Sequence, residues 1–208
     1  MIIIALTGSV GTGKTETSKY FIKNKIPVFD CDKVIGKLLK TDDVTDNIKK
    51  FFPTTFENRK LNRRKLAELV FVDKKKLSIL EKILYRKLSI NQSSWIRTQI
   101  MRRESKVVFD VPLLFEKDDL LKYDLIVLVT CSKDVQKRRV LRRADWNEKR
   151  FNNVLSLQKE DKHKARLSDV IIYTDRNKRN TYNSINNVLN LCNYLKKRPV
   201  NEVLKKFL

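Results

Sequence analysis

The chain has 208 residues, 41% hydrophobic and 34% charged, a balance that suits one α/β domain with a sizeable core and room for a helical insert. No apolar run approaches the ~20 residues needed to cross a bilayer, and the N-terminus lacks the basic segment and cleavage site of a signal peptide, so a cytoplasmic protein with no membrane partner is expected. The net charge is +22, yet its basic residues are spread along the whole chain without an aromatic–basic recognition motif, so nucleic acid is not expected as the main partner.

In chain order, Ile2-Ile3-Ile4-Ala5-Leu6 reads as a short buried strand, followed by a glycine-rich loop and a helix over 14–24. Ile26-Pro27-Val28-Phe29 is a second strand that ends in Asp30-Cys31-Asp32, with a helix expected from Lys33 to about Lys40. Cys31, Cys131 and Cys192 form no CxxC pair, which argues against a zinc site and suits a reducing compartment. Residues 41–60 are mixed, with turn signals at Pro53 and Thr54-Thr55. From 61 to 103 the pattern is helical, with Asp73 expected to cap the second of two helices. Lys106–Asp110, Leu125–Val129 and Val170–Tyr173 read as strands. Helices are expected over 133–143, 147–166 and 178–195, and the last dozen residues are a short helix or a frayed tail. Apolar strands alternating with helices imply a parallel sheet covered on both faces, with ligands at the carboxyl ends of the strands. The expected division is a core of 1–40, 104–132 and 167–196, a helical insert at about 61–103 and a lid at about 133–166.

Three of the four glycines lie in one loop. Gly8-Ser9-Val10-Gly11-Thr12-Gly13-Lys14-Thr15 fits the phosphate-loop pattern at every fixed position, between a strand and a helix as that pattern requires. Glycines let backbone amides close around an anion, and the helix that follows adds the positive end of its dipole. Lys14 is placed to reach the β- and γ-phosphates, and Thr15 offers a hydroxyl to Mg²⁺. Asp110 ends an apolar strand, as a Walker-B-type metal carboxylate does. Asp30 and Asp32 point the same way if strand conformation persists through them, one accepting a proton from an attacking hydroxyl and the other orienting its partners. Arg138, Arg139, Arg142 and Arg143 crowd neighbouring faces of one helix, a cluster that a triphosphate would stabilise; a solvated face accounts for two of them. Trp146 and Phe151 read as packing residues.

These motifs resemble the dephospho-CoA kinase family over about residues 1–175. The resemblance rests on Leu6-Thr7-Gly8 with the phosphate loop, Val28-Phe29-Asp30-Cys31-Asp32, Leu66-Ala67-Glu68-Leu69-Val70-Phe71, and Phe109-Asp110-Val111-Pro112-Leu113-Leu114-Phe115-Glu116. It continues through Gln136, Arg139-Val140-Leu141, Arg143, Gln158, Lys164 and Ser168-Asp169. It implies a P-loop nucleoside-triphosphate hydrolase-like fold and ATP-dependent phosphorylation of the ribose 3′-hydroxyl of dephospho-CoA, the last step of coenzyme A synthesis. By this resemblance Asp32 is the general base, and Lys14 and the lid residue Arg143 neutralise the phosphoryl group in flight. Thr15 and Asp110 hold Mg²⁺, Arg139 and Gln158 lie near ATP, and the 61–103 insert binds the acceptor.

Three positions depart from the family's usual pattern. Tyr85-Arg86 stands where His-Pro is usual, Gly36 where a basic residue or His is usual, and Asp175 where a glycine is usual. Arg86 is a candidate acceptor contact that would compensate in charge. The alternatives are another small-molecule or nucleoside monophosphate kinase, which would not require the Asp110–Glu116 string, and a nucleotide-regulated nucleic-acid-binding protein. A monomer is expected.

Overall fold

The computed structural model describes residues 1–116 and 120–207. Strands β1 (Ile2–Thr7), β2 (Val28–Asp30), β5 (Lys106–Asp110), β6 (Leu125–Thr130) and β7 (Val170–Tyr173) form one parallel sheet in the order β2-β5-β1-β6-β7. β1 is buried at all six positions. Such continuous burial is why its sequence is unbroken by polar residues, as central parallel strands require. Its side chains alternate between two cores. Ile3 and Ala5 join Phe29, Val107, Phe109 and Ile126 on one face. Ile2, Ile4 and Leu6 join Val108, Val127, Val129 and Ile172 on the other.

Helices α1 (Lys14–Lys23) and α9 (Lys178–Leu191) cover the second face, through Phe21, Ile185 and Val188. The first face is covered by α2 (Cys31–Leu38), α3 (Asp42–Phe51), α4 (Arg63–Phe71), α5 (Lys74–Met101) and α10 (Val200–Phe207). α3 lies inside the stretch expected to be mixed. Only Val44 and Ile48 of it are buried, too few apolar positions to show a period. After it, β3 (Phe56–Glu57) and β4 (Lys60–Leu61) make a small hairpin. Its turn has positive φ at Asn58 (47°) and Arg59 (62°), without the glycine that usually marks such turns.

The region expected as a helical insert is tied into the core. α5 has 28 residues, and Asp73 caps it by accepting from the amides of Lys75 and Lys76. Its later half packs on the sheet, where Trp95 meets Phe29 edge-on at 5.4 Å and Phe109 at 5.2 Å. The C-terminal segment is a docked helix, with Val203 fully buried and the Phe207 ring stacked 4.9 Å from that of Phe109.

The 147–166 segment is two helices, α7 (Glu148–Ser156) and α8 (Asp161–Arg166), which follow α6 (Lys133–Leu141). No Gly or Pro marks the break. Gln158 and Lys159 are instead drawn off by tertiary hydrogen bonds to Val10 and Glu116.

Gly36 sits in the interior of α2, and a methyl group added there meets nothing within 4 Å. Glycine costs a helix interior roughly 0.5–1 kcal/mol relative to alanine. Gly36→Ala is therefore expected to raise stability by about that amount, read as a higher urea midpoint at unchanged m-value. A lowered midpoint would show that this position does not tolerate a side chain.

Candidate active site

Strand register brings the chemistry to one edge. β5 pairs with β2 so that Asp110 lies opposite Asp30, and with β1 so that Asp110 lies opposite Leu6. The loop 8–13 leaves the end of β1 beside them and turns into α1. Gly13 (φ 95°) is the N-cap of α1 and Gly11 has φ 80°, a backbone region that only glycine adopts without strain. A Cβ on Gly11 would also fall 2.5 Å from Val140 Cγ2. No side chain caps α1, which leaves its first amides and dipole for an anion.

The loop bounds a cavity of about 730 Å³ lined by Gly8, Ser9, Val10, Gly11, Gly13, Lys14, Thr15, Asp32, Arg139, Arg143 and Gln158, among others. All the residues expected on the nucleotide side line it except two. Thr12 is buried beneath the loop, where its hydroxyl donates to Ser9 O at 2.8 Å. Asp110 is buried behind Lys14, whose ammonium is paired with its carboxylate. Burial pushes the Asp110 carboxyl up and Lys14 opposes the shift, while Asp30 and Asp32 add to it.

The four arginines divide two and two. Arg139 and Arg143 line the cavity, and Arg138 and Arg142 are exposed. Arg139 is fixed by donating to Thr174 Oγ1 (2.8 Å) and Thr174 O (2.6 Å). Arg143 is exposed just beyond α6, its guanidinium 5.9 Å from the Trp146 ring, and the Arg150 guanidinium lies 4.8 Å from the same ring. Trp146 is thus an arginine platform rather than plain packing, whereas Phe151 is buried as expected.

Asp30 and Asp32 do not share one strand. β2 ends at Asp30, which caps α2 by accepting from Lys33 N at 2.8 Å. Asp32 stands in the first turn of α2 and lines both the large cavity and a second one. Capping consumes Asp30, so the two carboxylates have different work. Asp32 is exposed at the cleft mouth, and partial desolvation there lifts its carboxyl above its ordinary value; Lys14 opposes this and Asp30 adds to it. Between them, Cys31 is buried and its thiol is pushed up to about 12, which removes it as a nucleophile near neutral pH.

The second cavity, about 370 Å³, runs between α2, α5 and the segment after β5, with Ile35, Tyr85, Leu88, Gln92, Leu114 and Tyr123 in its wall. Asp32 and Pro112 line both cavities and so mark their junction. Arg86 is exposed on α5 and lines neither cavity; the neighbouring Tyr85 faces the second one. A helix position one residue away points about 100° round the axis, so Arg86 does not face this cavity as Tyr85 does.

The resemblance marks Gln136, Gln158 and Lys164, but the contacts that join Lys164 to Glu116, and through Ser9 to Asp161 and Thr130, are assembled only by the fold. Lys164 is fully buried and donates to Ser9 Oγ at 2.9 Å, with Glu116 Oε1 at 3.4 Å. Ser9 Oγ donates to Asp161 Oδ1 at 2.6 Å, and Thr130 Oγ1 donates to Asp161 Oδ2 at 2.9 Å. Val10 is gripped from both sides, its amide donating to Gln158 Oε1 (3.2 Å) and its carbonyl accepting from Gln136 Nε2 (2.7 Å). Thr174 follows the apolar strand β7 as Asp110 ends β5, a polar strand end that could have marked it.

A family model described as dephospho-CoA kinase matches residues 2–180. The chain belongs to the dephospho-CoA kinase family. It is 34% identical over 189 residues to a dephospho-CoA kinase of Bartonella quintana, covering 91% of this chain and 97% of that one. Among solved structures it resembles TT1252 from Thermus thermophilus, with TM-score 0.81 and 22% identity over 94% of this chain and 98% of that one. It also resembles a shikimate kinase from Bacteroides thetaiotaomicron, with TM-score 0.55 and 14% identity over 92% of this chain and 98% of that one. These two likenesses show the shared fold, a five-stranded parallel sheet covered by helices. As a member of the dephospho-CoA kinase family the chain is a transferase of coenzyme A biosynthesis, with ATP as co-substrate.

Proposed function

We propose that the two cavities hold the two substrates of this kinase, ATP in the larger and dephospho-CoA in the smaller, with the ribose 3′-hydroxyl presented to Asp32. The observation that carries this reading is that Asp32 lines both cavities. A base that serves an acceptor hydroxyl must stand within hydrogen-bond reach of it while facing the phosphoryl donor.

The residues then divide the work. Amides of the 8–15 loop cradle the phosphates. Lys14 exchanges its Asp110 partner for the β- and γ-oxygens and, with Arg143 from the lid, neutralises charge that grows in the transition state. Arg139 and Gln158 hold the nucleotide side of the lid against the loop. Asp32 takes the proton from the 3′-hydroxyl as the oxygen attacks. The apolar wall of the second cavity keeps water from competing for the phosphoryl group.

The residues also fit Mg²⁺. Thr15 offers a hydroxyl at the cavity wall and Asp110 a carboxylate that Lys14 vacates when it turns to phosphate. Among the described residues no group of three His, Cys, Asp or Glu is placed to hold a metal ion. Mg²⁺ needs none, since it usually takes one or two protein oxygens and completes its shell with phosphates and water. When bound it would supply charge neutralisation between the β- and γ-phosphates. The protein works as a monomer in the cytoplasm, and nucleic acid is not its main partner. No helix among the described residues is long and apolar enough to cross a membrane.

The test is turnover. Purified protein with ATP and Mg²⁺ is expected to release ADP on addition of dephospho-CoA and to yield 3′-phosphorylated product, with little reaction on nucleoside monophosphates. Folded protein that makes no such product would overturn the assignment.

A further inference from the structure

The C-terminal segment lies beyond the residues matched by the family, yet it is bound to the wall of the second cavity. After residue 119 the chain makes a one-turn helix, Leu120–Lys122, before entering β6 at Leu125. A helix end leaves its last carbonyls without partners, and one turn leaves nearly all of them so. Here two cations from the C-terminal segment take three consecutive carbonyls. Lys206 Nζ donates to Leu121 O. Arg198 donates from one nitrogen to Lys122 O at 3.2 Å and from another to Tyr123 O at 3.0 Å.

Arg198 is itself anchored. Its Nε pairs with Asp124, whose other carboxylate oxygen accepts from Ile3 N at 2.8 Å, at the start of the central strand. Arg198 N also donates to Met1 O at 3.2 Å. α10 then returns over the sheet, and the Lys122 ammonium lies 5.8 Å from the Phe207 ring that stacks on Phe109. Lys122 and Tyr123, the residues whose carbonyls Arg198 holds, line the second cavity.

We infer that the 198–207 segment is a positioning element for the acceptor: Arg198 and Lys206 fix the 121–123 backbone, and this sets where Lys122 and Tyr123 stand in the second cavity. The inference rests on reading that cavity as the acceptor site. Arginine suits the task because its planar fork serves two adjacent carbonyls while its third nitrogen pairs with Asp124. Hydrogen bonds from a charged donor are about twice as strong as neutral ones, and they add to the packing of Tyr123 against Phe109.

The signature is a split between the two substrates. In the full chain, Arg198→Met keeps an apolar stem of similar length and removes the fork. It is expected to raise KM for dephospho-CoA about tenfold while KM for ATP stays within about twofold. Arg198→Lys should restore part of the loss, and Lys206→Met should shift KM the same way by less. Lys206 is on the surface, so this variant carries the test even if Arg198→Met is poorly folded by circular dichroism. A general loss of stability would instead lower the active fraction and leave both KM values alone. Unchanged dephospho-CoA KM in the folded variants, or an equal rise for ATP, overturns the inference. Ser89→Trp, which fills the second cavity from α5, separates this outcome from failure of the parent reading. If Ser89→Trp raises dephospho-CoA KM and the Arg198 and Lys206 variants do not, the positioning role alone is wrong. If Ser89→Trp also leaves it unchanged, the cavity assignment falls and the inference with it.

Discussion

Asp32→Asn is expected to lower kcat by about 10²–10⁴-fold, the range that a positioned general base contributes, while ATP affinity is retained. Asn keeps the shape and the first-turn position on α2 but cannot accept the hydroxyl proton. ATP binding is expected to survive because the loop amides and Lys14, proposed to hold the phosphates, are separate from it. The pH profile adds a second reading. Partial desolvation in the cleft raises the Asp32 carboxyl above its ordinary value although the residue is exposed by surface area, and Lys14 only partly offsets this. The base works when ionised, so kcat/KM should be full at higher pH and fall as pH drops through that raised pKa. The acid limb should therefore begin above the usual carboxylate range and disappear from the residual activity of Asp32→Asn. Near-normal turnover in the variant, measured with dephospho-CoA and coupled ADP detection, would exclude Asp32 as the base.

Lys164→Met is expected to cost stability rather than chemistry alone. Lys164 is fully buried at 0% exposure, and its ammonium stands between Ser9 Oγ and Glu116 Oε1. Removing one partner of a buried ion pair leaves the other charge uncompensated, a loss of about 3–5 kcal/mol. Glu116 is exposed to that loss, since it keeps only the Lys159 amide on Oε1 and its Oε2 is buried without a hydrogen-bond partner. Asp161 is less so, because Ser9 and Thr130 still donate to it. Urea unfolding should show the fall in midpoint, and adding Glu116→Gln should recover part of it by removing the orphaned charge. A loss under about 1 kcal/mol would mean that water reaches Glu116 once the ammonium is gone.

The nucleotide side was legible because local rules govern it. An apolar strand, a glycine-rich turn and a helix start occupy consecutive residues, and Asp110 announces itself as a carboxylate ending a buried strand. Capping was legible at Asp73, which starts a helix after a loop, but not at Asp30, where the cap interrupts a strand. Whether Asp30 and Asp32 share a face depends on where β2 stops, and Asp30 stops it by capping α2. The second cavity was harder still. Its wall comes from α2, α5 and the chain after β5, which meet only through tertiary packing, so Tyr85 and Arg86 could not be told apart until the rotation of α5 was known. The same applies to α10: its apolar residues are those of any short helix, and their destination against Phe109 depends on the sheet. Lys164 shows the limit most clearly, because lysine is almost never fully buried unless paired, and nothing adjacent to it in sequence names the partners.

The two hydrogen bonds at Val10 have a mechanical consequence. Gln136 lies near the start of α6 and Gln158 just beyond α7, so the two stems of the lid are pinned to opposite ends of a single residue. The segment that carries Arg143 and Trp146 lies between those pins. Arg139, in the same segment, adds a third tie to Thr174 just beyond β7, so α6 is anchored to the loop and to the sheet edge together.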